Sequence, residues 1–117
     1  MEPMRTIREK QQEYQERLLT ELRDELEERG LTTVLIVDQK GRPALEVLDR
    51  CLRSRRVYVH LAFLWFYWGD QLDERVSCMQ LLPAAARIEQ AAQEGWREGE
   101  QGDLGINLNK ILDAHRS

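Results

Sequence analysis

The residues of this chain that could take part in catalysis fall into two loose groups near its middle. One combines a potential general base with two potential nucleophiles: His60, Ser77 and Cys78. The other is a run of acids directly after Gly69, where paired carboxylates could do acid and base work if one were desolvated: Asp70, Asp73 and Glu74. No GxSxG elbow, Cys/His signature or Gly-rich phosphate loop frames either group. The sequence therefore favours a protein that is not an enzyme, with a solvated acidic turn after Gly69.

The potential metal ligands are spread without a recognisable spacing: Cys51, His60, Cys78 and His115. A metal site needs three or four ligands in a compact arrangement. The two cysteines also lack the CxxC spacing of redox and zinc motifs. We therefore expect two reduced thiols, no metal and no cofactor.

One basic motif, DRCLRSRR, makes the middle third of the chain locally basic through Arg50, Arg53, Arg55 and Arg56. Guanidinium groups on a turn beside aromatic strands could hold phosphates while a ring such as Tyr58 stacks a base. The whole chain is nevertheless acidic, with a net charge of −4. Since nucleic-acid-binding domains usually carry a basic field over one side, these arginines are candidate phosphate ligands only in an alternative hypothesis. Alternatively, these four arginines form ion pairs with Asp49 and with acidic residues of the helices.

Helical periodicity dominates the two ends of the predicted domain. A leucine-rich stripe with spacings of three, four and seven predicts a helix over 3–29, stopped by Gly30. A second helix over 83–94 begins near Pro83 and has a stripe of small residues: Ala84, Ala85, Ile88, Ala91 and Ala92. Such a slim face fits closely against a sheet with large side chains.

Between the helices the apolar residues follow the two-residue alternation of β-strands. Residues 31–49 read as an antiparallel hairpin with its loop at DQKGR, and residues 55–68 as a long central strand. Residues 75–79 are either a short fourth strand or a loop. After residue 94 the segment EGWREGEQGDLG contains four glycines, so 95–117 are predicted to be a flexible linker with a short C-terminal helix over 108–114.

The run VYVHLAFLWFYWGD is apolar on both faces of the predicted central strand. Antiparallel sheets in small domains usually have one solvated face, and two helices are too few to cover both. We therefore expect a second copy of the chain to associate through the sheet face or, alternatively, through the first helix. The candidate interface residues are Tyr58, His60, Leu64, Trp65, Phe66 and Trp68.

Length and composition bound the fold class. The 117 residues, 42% of them hydrophobic and 32% charged, are typical of one globular domain. No apolar run is long enough to cross a bilayer, and the charged start lacks the apolar centre of a secretory signal. We predict an α+β protein with a single domain over 1–94, located in the cytoplasm.

The strand ending in WFYWGD and the helix containing AARI together resemble small uncharacterised actinobacterial proteins of similar length. The resemblance rests on aromatic composition and implies no functional residues.

The sequence thus predicts a non-enzymatic binding or adaptor protein in a bacterial cytoplasm, acting as a homodimer on an unidentified protein partner and not on a membrane. Two alternatives remain open. One is a nucleic-acid-binding protein that uses the Arg50–Arg56 turn. The other is a small-molecule-binding protein or enzyme with an aromatic pocket between the sheet and the alanine-rich helix.

Overall fold

The computed structural model describes residues 6–97. Its first element is helix α1, Ile7–Glu28, whose N-terminus is capped by the Thr6 side chain. At the other end Gly30 adopts a φ of 87°, and the Leu31 N–H donates to the Leu26 carbonyl, which completes a Schellman motif. The buried residues all lie in the second half of the helix: Leu18, Leu19, Leu22 and Leu26. This half anchors α1 to the rest of the molecule.

Among the described residues, five strands form one antiparallel sheet in chain order, each pairing with the next along the chain. They are β1 Thr33–Val37, β2 Pro43–Leu48, β3 Ser54–His60, β4 Trp65–Tyr67 and β5 Arg75–Ser77, with a 3₁₀ turn at Leu72–Glu74 before β5. With a second helix, α2 Leu81–Glu94, the predicted α+β class is confirmed. The sheet has five strands where the pattern predicts three or four.

The long central strand predicted over 55–68 is wrong, because the chain turns back inside it. β3 ends at His60, and β4 pairs with it antiparallel from Trp65. In the loop between them Leu64 has a positive φ of 53°, and the Phe63 N–H donates to His60 Nδ1 at 3.2 Å. None of the loop residues is Gly, Pro, Asn or Asp, so the usual turn signals are missing.

The β1–β2 and β2–β3 loops share one hydrogen-bond pattern. In DQKGR, Asp38 Oδ1 accepts from the backbone N–H groups two and four residues later, and Asp38 Oδ2 accepts from Arg42 Nε. In DRCLR, Asp49 makes the same contacts with Cys51, Arg53 and the Arg53 side chain. Each D-x-x-x-R loop therefore holds its hairpin through one carboxylate.

Both helices pack on the same face of the sheet. Leucines of α1 and small residues of α2 form one buried cluster with alternate residues of the strands, among them Leu45, Val57, Phe66 and Trp68. The predicted complementarity of volumes is visible in α2, whose core-facing residues are buried: Ala84, Ala85, Ile88 and Ala92. No helix of the described residues covers the opposite face.

The prediction of a flexible linker from residue 95 onwards is wrong for its first residues, because Trp96 is held in the core. The Trp96 ring is buried, and its Nε1–H donates to the carbonyls of Val47 and Arg53. Its backbone N–H donates to Asp49 Oδ2 at 3.0 Å. The remainder of the predicted linker, the helix over 108–114 and His115 lie outside the described residues.

Within residues 6–97, neither helix has the length and apolar character needed to cross a membrane.

Candidate binding face of the sheet

The face of the sheet that points away from both helices carries aromatic and cationic side chains. We call this surface the aromatic-arginine face. The pleat places alternate residues of β3, β4 and β5 on it, and Arg42 reaches it from the β1–β2 loop. Its members are Arg42, Arg56, Tyr58, His60, Phe63, Trp65, Tyr67 and Arg75.

The centre of this face is the cross-strand pair of Tyr58 and Tyr67, whose ring centroids are 5.8 Å apart. The Arg42 guanidinium lies over the Tyr58 ring, 4.6 Å from its centroid, and the Tyr58 hydroxyl donates to Asp38 Oδ2 at 3.0 Å. Burial raises the pKa of Tyr67 to about 12. The rings are only 3% and 2% exposed, so both phenols are neutral and in close contact with neighbouring groups.

A second aromatic cluster lies at the β3–β4 turn. His60 stacks on Phe63 with centroids 4.8 Å apart, and Phe63 stacks on Trp65 at 4.7 Å. His60 Nδ1 accepts the Phe63 N–H, and burial lowers the pKa of His60. Both effects favour a neutral imidazole, so this cluster is an uncharged aromatic patch.

The cations of the face differ in their partners. Arg42 pairs with Asp38 at 2.9 Å, and Arg56 pairs with Glu46 at 3.4 Å. Arg75 instead lies over the Trp65 ring, 4.2 Å from its centroid, and among residues 6–97 no carboxylate forms an ion pair with it. Burial lowers the pKa of Arg75, although an arginine remains charged at neutral pH. A guanidinium without a carboxylate is the group on this face most suited to binding an acidic ligand.

The six predicted interface residues divide between the two faces of the sheet. Tyr58, His60 and Trp65 belong to the aromatic-arginine face. Phe66 and Trp68 are buried in the core beneath the helices. Leu64 lies in the β3–β4 turn and packs against that same core.

The four predicted phosphate ligands do not form one surface. Arg50 is exposed beside the end of α2, where its backbone N–H donates to the Ala92 carbonyl. Arg53 binds Asp49 and the Trp96 carbonyl. The remaining two lie on opposite faces of the sheet, because Arg55 is buried on the helix side, whereas Arg56 lies on the aromatic-arginine face.

Arg55 forms a buried ion pair with Glu74, with Nη1 3.2 Å from Oε2. Its guanidinium also donates to the carbonyls of Trp68 and Arg97. Arg55 is therefore a structural residue, and the sequence offered no signal for its partner 19 positions away.

The groups considered in the sequence as possible catalytic residues are engaged in local contacts. Burial raises the pKa of the Cys78 thiol to about 12, which removes the reactive thiolate at neutral pH. Ser77 Oγ accepts the Met79 N–H. Asp73 forms an ion pair with Arg97, and Glu74 binds Arg55. Within the described part of the chain, no three His, Cys, Asp or Glu residues lie close enough together to hold a metal ion.

An aromatic pocket between the sheet and α2 is one alternative expected from the sequence. In the structure the buried alanines of α2 pack against the strands there and fill this space. At its margin lies a cavity of about 290 Å³ beside Trp68 and Trp96. Its remaining lining is largely charged and includes Asp73, Glu74 and Arg97.

No protein-family model, curated protein or solved structure matches this chain.

Proposed function

We propose that this protein is a non-enzymatic, homodimeric interaction module that binds an acidic segment of a partner protein on its aromatic-arginine face. The observation that carries the proposal is the placement of α1 and α2 on one side of the sheet. The opposite side then presents Arg75 on Trp65, next to stacked rings. Aromatic residues and arginine are the types enriched in the energetic centres of protein interfaces.

The charge pattern of this face supports an acidic partner. Arg42 and Arg56 already have carboxylate partners from their own chain, whereas Arg75 has none among the described residues. A glutamate or aspartate from a partner would supply that carboxylate. Its aliphatic neighbours would pack against Phe63, whose ring is 39% exposed.

The state of the candidate catalytic groups supports a binding role over catalysis. The Cys78 thiol is protonated at neutral pH, and the carboxylates of Asp73 and Glu74 are held by Arg97 and Arg55. The free state of both cysteines is consistent with the reducing cytoplasm, which we propose as the location.

The test is titration of the full chain with a synthetic peptide of alternating glutamate and leucine, followed by NMR of the tryptophan indole N–H groups. We expect the Trp65 signal to shift. Arg75→Gln keeps much of the side-chain size but removes the charge. It should weaken peptide binding at least ~10-fold, because a charge-assisted hydrogen bond to the peptide is lost. Arg87→Gln, on the exposed side of α2, should leave binding unchanged.

A peptide of alternating lysine and leucine is the charge control and should not bind. Equal affinity of both peptides for the protein, or equal affinity of the Arg75 and Arg87 variants for the acidic peptide, would overturn the proposal.

Single-stranded nucleic acid is the second candidate ligand, because rings and guanidinium groups share one sheet face, as in single-strand binders. Two findings weigh against it. The rings of Tyr58 and Tyr67 are almost fully buried, so a base cannot stack on them without displacing Arg42. The arginines of DRCLRSRR are also divided between separate surfaces. Retardation of an oligonucleotide at low salt that is lost in Arg56→Ala, Arg75→Ala protein, with both residues on this face and the fold checked by circular dichroism, would favour this candidate.

A further inference from the structure

Among residues 6–97, strand β1 is an edge of the sheet, and its outer side carries backbone groups that have no strand partner in this part of the chain. The Asp38 N–H donates to the Arg42 carbonyl, and the Thr32 carbonyl accepts the Leu48 N–H. The even-numbered residues of this segment therefore bond to β2. Because the direction of the backbone groups alternates along a strand, those that point away from the sheet belong to Thr33, Leu35 and Val37.

Within the described residues, β1 itself has no charge, proline or bulge of the kind that usually prevents pairing between proteins. Its sequence, TVLIV, has no charge and no proline, and its pairing with β2 runs from Thr33 to Val37 without a bulge. Val34 and Val37 are 53% and 54% exposed. An uncharged, apolar edge strand without a bulge is a site for adding another strand.

The edge is complementary to itself. If two copies of β1 pair antiparallel with Leu35 opposite Leu35, Thr33 of each copy lies opposite Val37 of the other. These are the residues whose N–H and C=O groups point outward, so every one of those groups in both copies gains a partner. Val34 then lies opposite Ile36 on the aromatic-arginine face, where apolar cross-strand pairs stabilise a sheet.

The charges that flank β1 also fit an antiparallel arrangement. The exposed acids Glu27 and Glu28 end α1, and a hydrogen bond from Thr33 Oγ1 to Glu27 Oε1 places Glu27 at the start of β1. The exposed Lys40 follows the end of β1. Antiparallel pairing brings the start of one β1 to the end of the other, so each lysine approaches the acids of the other copy.

We infer that a second copy of this chain occupies the β1 edge, forming a two-fold symmetric dimer with one continuous sheet. The inference specifies the homodimer of the proposed function and rests on it. Residues opposite each other in a sheet share a face. Both aromatic-arginine faces therefore lie on one side of the joined sheet, and α1 and α2 of each copy lie on the other.

The test is the molar mass of the full chain by light scattering over a concentration series up to ~500 µM. A strand pair of this length makes a smaller contact than the usual ~800 Å² per partner, so we expect a reversible dimer with a Kd of about 1–100 µM. The mass should rise from 13.8 kDa towards twice that value. The Leu35 and Val37 amides should exchange more slowly at high concentration, because pairing protects them.

Val34→Lys combined with Val37→Lys should raise the Kd at least ~30-fold, since a charged edge resists pairing. The matched control combines Leu72→Lys and Met79→Lys, which are 75% and 74% exposed at other sites and should leave the dimer intact. Val37→Pro is a second variant that should weaken the dimer, because it removes an N–H that points out of the sheet and leaves the β1–β2 hydrogen bonds in place. Circular dichroism and thermal melting of each variant check that it folds.

A wild-type chain that stays monomeric at every concentration would overturn both this inference and the dimer in the proposed function. Binding of the acidic peptide would still be decided separately, by the peptide titration. A dimer that survives the two lysines but dissociates with Trp65→Asp would overturn edge pairing alone and place the interface on the sheet face.

Discussion

Asp38 and Asp49 each organise a hairpin loop by accepting the same set of hydrogen bonds, and the two loops differ at their fourth position. DQKGR has Gly41 there, with a φ of 80°, whereas DRCLR has Leu52, with a φ of 63°. An L-residue in this left-handed region is strained by about 1–2 kcal/mol, and glycine is not. The second loop therefore contains a strained leucine where the first has the residue that the turn favours.

Leu52→Gly is expected to stabilise the protein by up to about 1 kcal/mol, because relief of strain exceeds the extra entropy of glycine in the unfolded chain. The Leu52 side chain is 77% exposed, so little packing is lost. Chemical denaturation measures the free energy of unfolding. Leu72→Gly, at a similarly exposed leucine in the 3₁₀ turn, should instead destabilise the protein, and a loss of stability in both variants would contradict the strain argument.

Asp49 is expected to make the free energy of unfolding depend on pH in acid. Burial alone would raise its pKa, but hydrogen bonds from the backbone N–H groups of Trp96, Arg53 and Cys51 lower the pKa from 3.8 to about 2. Because the folded-state pKa is the lower one, the contribution is complete above the unfolded pKa. It should fall by about 2 kcal/mol as the pH drops from about 4 to about 2.

Urea denaturation at a series of pH values measures this dependence. Asp49→Asn should reduce the loss of stability between pH about 4 and about 2. Asp24→Asn changes an aspartate on the exposed side of α1 and is the matched control for the substitution itself. Identical profiles for the wild type and Asp49→Asn would contradict this role.

At the scale of elements, α2 fits the sheet because its core-facing residues are small where the strands are bulky. Ala84 and Ala85 are fully buried in the same cluster as Phe66 and Trp68. Close packing leaves no room for extra methyl groups at such a contact. The alanine stripe is therefore a requirement of this helix–sheet interface.

Ala85→Leu is expected to lower the free energy of unfolding by about 1–3 kcal/mol through overpacking. The adjacent Ala86 is exposed, so Ala86→Leu should change stability by no more than about 0.5 kcal/mol. Thermal and urea denaturation of the two variants measure the difference. Equal effects would mean that the helix can move away from the sheet without cost.

At the scale of the whole molecule, the described residues form two layers, with helices on one side of the sheet and the aromatic-arginine face on the other. Trp65 and Phe66 are neighbours in the chain but belong to opposite sides. A charge at either position therefore tests the layer arrangement directly.

Trp65→Asp is expected to give a folded dimer that no longer binds the acidic peptide, because the new carboxylate pairs with Arg75 and repels the ligand. Phe66→Asp should unfold the protein, since it buries an unpaired charge in the core and costs more than about 4 kcal/mol. Circular dichroism and the peptide titration measure both outcomes. A folded Phe66 variant, or an unfolded Trp65 variant, would contradict the assignment of the two faces.

The sequence by itself determined the fold class, the leucine stripe of α1, the first hairpin and the alanine stripe of α2. These features depend on local periodicity and on glycines that end elements. Alternation also showed that the run from Val57 to Trp68 is apolar on both sides. It could not show that the chain turns at Leu64, because a leucine with positive φ carries no turn signal.

Only the tertiary structure decided which side of the sheet the helices cover and where each arginine points. Alternation separates Trp65 from Phe66 but does not tell which of the two faces is buried, so both residues stood among the candidate interface residues until helix packing showed that Phe66 lies in the core. Neighbours in DRCLRSRR likewise found different partners, because Glu74 reaches Arg55 on one face and Glu46 reaches Arg56 on the other. Such long-range contacts arise from packing, and local sequence spacing does not encode them.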